Sequence, residues 1–150
     1  MTKKKILIIA GEFIPYTQSI GGVIRVISFL KSLKGHKLEL ISIKKKYYGY
    51  FGFKNYIKHV NKNYIYLKSS KVKNLKYYFF YILKLFFSNT LYILGIDHNF
   101  LNHKKYIEEI ERVYLSFKPD FVIISAPPFS LFRLVKEIKQ IDKKVKIILD

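Results

Sequence analysis

The chain has 150 residues, half of them apolar, enough for one domain with a real core. It has no cysteine, which excludes a disulfide framework and thiolate metal ligation, and His36, His59, His98 and His103 lack ligand spacing, so neither metal nor cofactor is expected. The formal charge is +18, and the shortage of acids is local: residues 40–96 hold 11 lysines, 16 Tyr or Phe residues and no Asp or Glu. Such a surface attracts anionic lipid headgroups or nucleic acid on electrostatic grounds, while lysines solvated over an aromatic core are the plainer alternative.

The start MTKKKILIIAGEF is basic, but its apolar run over 6–10 is too short for a signal peptide, and with no cysteine a cytoplasmic location is expected. That run predicts a strand over 5–10, buried on both faces of a parallel sheet. After a loop over 11–22, Val23, Val26, Ile27, Leu30 and Leu33 recur at helical spacing and Gly35 supplies a stop; a second strand over 38–43 completes a βαβ unit. Residues 44–100 are harder to read and are taken as a basic, aromatic insertion, with a short strand over 64–67 and a strongly apolar helix over 75–87. The stretch 77–96 has about the length of a membrane span but is broken by Lys84, Ser88, Asn89 and Thr90.

Order returns over 102–117, where Ile107, Ile110, Val113, Tyr114 and Phe117 form one helical stripe that Pro119 ends. A buried strand over 121–125, a turn forced by Pro127 and Pro128, a helix with Leu131, Leu134, Val135 and Ile138, and a strand over 145–149 follow. This alternation predicts an α/β fold, a Rossmann-like doubly wound parallel sheet. The sequence stops at Asp150, on a strand's carboxyl end with no covering helix after it, so the domain is expected to be truncated there.

In such sheets ligands sit beyond the carboxyl ends of the strands, which here means the loops 11–22 and 125–130 and the end at Asp150. Gly21 and Gly22, before the first helix, would let a phosphate approach amides at its positive end, although a glycine pair is more often just a turn and the pattern is neither GxGxxG nor a P-loop. Arg25, one turn inside that helix, could reach an anion or simply be solvated. His36 reads as structural or exposed, and Asp97 is a candidate partner for His98 or His103 without further support.

The opening KILIIAGEFIPYTQSIGGVIRVISFLKSLKGHKLELISI resembles the GT-B glycosyltransferases of family 4, with Pro15, Gly21, Gly22, Gly35 and His36 at the matching positions. KPDFVIISAPPFSLFRLVKEIK is similar to that family's segment in which a Pro-Asp pair, here Pro119 and Asp120, leads into a strand ending in small residues and prolines. The terminal VKIILD looks like the next strand, while 44–100 is not covered by the resemblance. It implies that residues 1–150 are the acceptor-side N-terminal domain of a GT-B architecture, incomplete, with Gly21 and Gly22 at the donor phosphates and Ser125, Pro127 and Pro128 lining the acceptor side. It further implies a retaining, nucleotide-sugar-dependent transferase of the kind used in polysaccharide biosynthesis, with a glycan or lipid-linked hydroxyl acceptor. No catalytic histidine carries over, because the family position here reads Ser-Ala-Pro-Pro. Without a C-terminal donor-binding domain the chain is expected to be inactive, and the basic middle is expected to hold the enzyme at an anionic cytoplasmic membrane face. The rival readings are a non-enzymatic nucleotide- or nucleic-acid-binding module, for which no RRM, KH or helix-turn-helix signature is present, and a split-gene remnant.

Overall fold

The structure, a computed structural model, describes residues 2–11, 13, 20–44, 65–68, 82–83, 86–87, 103–126 and 129–150. Its elements are β1 (Lys5–Ala10), α1 (Ile20–Ser32), β2 (Lys37–Lys44), β3 (Ile65–Lys68), α2 (His103–Phe117), β4 (Phe121–Ser125), a 3-10 turn (Phe129–Arg133), α3 (Leu134–Ile141) and β5 (Lys146–Leu149). The strands form one sheet in the order β3-β2-β1-β4-β5, and every pairing is parallel. The fold is thus α/β and Rossmann-like: the chain works outward from β1 through β2 to β3, then returns to the other side of β1 as β4 and β5.

The uninterrupted apolar run of β1 makes it the centre of this sheet. A strand that exposed either face could not carry Ile6, Leu7, Ile8, Ile9 and Ala10 without leaving several of them in water; here all five are buried. Leu7 and Ile9 pack with Ile41, Val122 and Ile124 beneath Tyr106, Ile110, Val113 and Tyr114 of α2 and Leu134 and Ile138 of α3. Ile6, Ile8 and Ala10 pack with Leu40 and Ile123 beneath Val23, Val26 and Ile27 of α1, and Phe13 closes this cluster. Burying each such aliphatic side chain contributes roughly 1.5–3 kcal/mol, which is why two cores can form on one short strand.

Several boundaries move relative to the sequence reading. α1 begins at Ile20, so Gly21 and Gly22 sit in its first turn rather than in the loop before it. A first turn tolerates glycine because its N–H groups have no intrahelical acceptor in any case. The turn after the two prolines starts as 3-10 helix and becomes α-helical only from Leu134. Of the helix expected over 75–87, the described residues Ile82, Leu83, Phe86 and Phe87 are helical; most of 44–100 lies outside the described residues. Among the described residues, no helix is long and apolar enough to cross a membrane.

Candidate functional site

The strand order reverses between β1 and β4, and a doubly wound sheet opens a crevice at the carboxyl ends of the strands at that point. β1 ends at Ala10 and β4 at Ser125, which are register partners, so both chains leave the sheet at the same level. β5 brings Asp150 to that level: its N–H donates to the Ile124 carbonyl at 3.0 Å, and the Ala126 N–H donates to the Asp150 carbonyl at 2.8 Å. The Gly11 N–H, at 3.4 Å from the Ser125 carbonyl, ties the start of the β1 loop to the same edge.

Three of the residues singled out in the sequence converge here. The buried Ser125 hydroxyl donates to Asp150 Oδ2 at 2.8 Å. From α1, Arg25 Nη1 donates to the Ala126 carbonyl at 3.0 Å and approaches the same Asp150 oxygen at 3.4 Å. With side chains 43% and 27% exposed, this ion pair is worth roughly 0–1 kcal/mol, so it positions its members more than it stabilises the fold. The other guanidinium donors of Arg25 have no partner among the described residues and remain free to bond an anion or a hydroxyl. One carboxylate, one guanidinium and one hydroxyl on three elements form a compact polar corner at the mouth of an otherwise apolar sheet.

Gly21 and Gly22 begin the helix from which Arg25 projects. A Cβ at Gly22 would meet nothing within 4 Å, and its backbone is not left-handed, so neither packing nor conformation demands glycine there. At Gly22 the space that a side chain would fill is open. Pro127 and Pro128, like Pro15, lie outside the described residues.

The remaining candidates fall elsewhere. His36 accepts a hydrogen bond from the Lys4 N–H at 3.3 Å, at the amino edge of β1 and β2, and is structural. Asp120 accepts from the Lys5 N–H at 2.8 Å while its own N–H donates to the Lys5 carbonyl at 2.8 Å, clasping the amino ends of β1 and β4. The Pro-Asp pair therefore builds the end of the sheet opposite the polar corner. His103 is the first residue of α2, whereas His59, His98 and Asp97 lie outside the described residues. Among the described residues, no group of three or more His, Asp or Glu residues could hold a metal ion.

Compared with family models, curated protein sequences and solved structures, the chain gives no match. What the corner can do follows from its own geometry. Sequence reasoning did not find the Ala126 carbonyl or the Gly11 amide, since backbone groups are common to all residues and only the fold aims them. It also passed over Ser42, whose register with Ala10 places it in the same cross-strand row as Ser125. The Ser42 hydroxyl is buried without a hydrogen-bond partner among the described residues.

Proposed function

We propose that this chain is the acceptor-side N-terminal domain of a GT-B glycosyltransferase that moves a sugar from a nucleotide-sugar donor to a glycan or lipid-linked hydroxyl. The observation that carries the reading is the meeting of Arg25, Ser125 and Asp150 at the carboxyl edge, with Gly22 in the first turn of the helix that bears Arg25. On this reading the amides around Gly21 and Gly22 face the donor diphosphate, because a helix N-terminus offers unpaired N–H groups and a positive dipole end. Arg25 adds a fixed cation for charge gathering on the departing diphosphate, which lowers the barrier only if it is in place before the bond breaks. Asp150, held by Ser125, can accept a hydrogen bond from an acceptor hydroxyl and so orient it. The donor sugar and the rest of the diphosphate are assigned to a second, C-terminal domain, whose closure would exclude water from the cleft.

The test is sugar transfer by the native protein from its source cell, using a panel of labelled nucleotide sugars and a membrane extract as acceptor. Transfer is expected from at least one donor, and Arg25→Ala is expected to lower kcat/KM by about tenfold or more, the loss of one charge-assisted contact to a diphosphate. If no donor supports transfer and no nucleoside diphosphate binds, the proposal is wrong.

A further inference from the structure

The register of the three central strands fixes what lies on the α1 side of the carboxyl edge. Ile8 pairs with Leu40 and with Ile123, and all three belong to the cluster beneath α1. Side chains two residues further along each strand return to the same face, so Ala10, Ser42 and Ser125 form the next row under that helix. Ala10 shares its cluster with Val23, which stands in the first turn of α1. Ser125 is bonded to Asp150, whereas Ser42 stands two strand spacings away, roughly 10 Å, on the other flank of Ala10.

Ser42 is the member of this row that the fold does not use. It is 1% exposed, and its hydroxyl bonds to nothing among the described residues. A hydroxyl shut away from water without a partner destabilises the folded chain, and alanine would fill the same place without that penalty. Its partner is therefore to be sought outside the sheet.

The surroundings say what that partner brings. The first turn of a helix carries N–H groups that no helical carbonyl accepts, and at Gly22 the space that a side chain would fill is open. Arg25 adds guanidinium donors beyond the one that meets Ala126 and Asp150. All of these donate, and the carboxylate at this edge, Asp150, already accepts from Ser125 and Arg25. A ligand that suits them supplies acceptors in several directions, as the oxygens of a phosphate do and the two of a carboxylate do not.

We infer that the Ser42 hydroxyl donates to a phosphate oxygen of the bound ligand, so that β2 joins α1 in building a diphosphate site. The inference rests on the proposed function for the class of ligand, and adds to it a contact from the floor of the crevice.

Inorganic pyrophosphate, the part common to nucleotide-sugar donors, is the probe, titrated into the full chain with affinity read from amide shifts in two-dimensional NMR. The parent is expected to bind it, with the Gly22 and Ser42 amides among those that move. Ser42→Ala should weaken binding by about tenfold, the loss of one hydrogen bond to a charged ligand. It should also raise the urea midpoint, because the unpaired buried hydroxyl is gone. A purely structural serine would do the reverse, lowering the midpoint and leaving affinity as it was. Ser28→Ala removes a hydroxyl bonded to the Ile24 carbonyl further along α1 and should bind like the parent. Equal affinity of Ser42→Ala and the parent, or an equal loss in Ser28→Ala, overturns the inference. If Arg25→Ala is weakened in the same titration while Ser42→Ala is not, the phosphate site stands without Ser42. Failure of the parent to bind pyrophosphate overturns the site and the inference together.

Discussion

The Tyr114 hydroxyl donates to Asp142 Oδ2 at 3.0 Å, joining α2 to the residue that caps α3. Burial, and then the bond to this carboxylate and its charge, push the phenol above its ordinary value near 10. Asp142 moves the opposite way: the Lys144 N–H bonded to Oδ1 at 2.8 Å, and then the Tyr114 hydroxyl, hold its carboxyl below the usual range. The signs give two pH windows. The phenol's folded value is raised, so its contribution is intact below about pH 10 and is lost as pH climbs beyond it. The carboxyl's folded value is lowered, so its contribution is present above about pH 4 and is lost as pH falls through the folded value. In urea titrations Tyr114→Phe is therefore expected to lose stability less steeply than the parent above pH 10. Asp142→Asn should be the weaker protein at pH 7, with the gap closing below pH 4. Parallel curves at all pH values would show that the contact carries no linkage. The sequence placed Tyr114 on the buried stripe, but its partner lies 28 residues away, and no local pattern pairs them.

At the scale of elements, the end of α2 shows where residue type and conformation disagree. Lys118 has φ 51°, the left-handed region that glycine favours, and its N–H donates to the Tyr114 carbonyl at 2.7 Å to close the last turn. Pro119 follows and cannot continue the helix. A residue with a Cβ pays about 1–2 kcal/mol for that backbone, while glycine would bring more freedom to the unfolded chain. Lys118→Gly is accordingly expected to stabilise the protein by about 0.5–1 kcal/mol, read as a higher urea midpoint at unchanged slope. A lower midpoint would mean that the left-handed cap is not strained. By contrast Gly35, the glycine that the sequence marks as a helix stop, does not adopt left-handed backbone, and α1 already ends at Ser32. Proline restricts its neighbours whatever the surroundings, so Pro119 was legible; the cap conformations are set by how the chain must turn into the next strand.

Across the whole molecule, β1 couples two cores that share no side chain: Leu7 belongs to the one under α2 and α3, Ile8 to the one under α1. Both are fully buried, and removing most of either side chain leaves a cavity that the sheet backbone cannot close. Leu7→Ala and Ile8→Ala are each expected to cost about 2–5 kcal/mol, a large share of the roughly 5–15 kcal/mol typical of a domain. Leu149→Ala, at the half-exposed edge on β5, should cost about 0.5 kcal/mol or less. Chemical denaturation of the three variants checks the ranking, and equal losses would contradict a core centred on β1.

The sequence by itself determined the class of fold and most of its elements, because burial leaves a period that can be read: continuous apolar runs at 6–10 and 121–124, and three-to-four spacing along α1 and α2. It also showed which loops gather at the carboxyl edge, since strand direction alone decides that. Only the tertiary structure decided which polar residues meet. Arg25 and Asp150 are 125 residues apart, and Ser125 reaches Asp150 only because β5 pairs with β4 in one register, Ile124 against Leu149. A shift of one residue would turn Asp150 to the other face of the sheet, and no local preference in the sequence specifies that register.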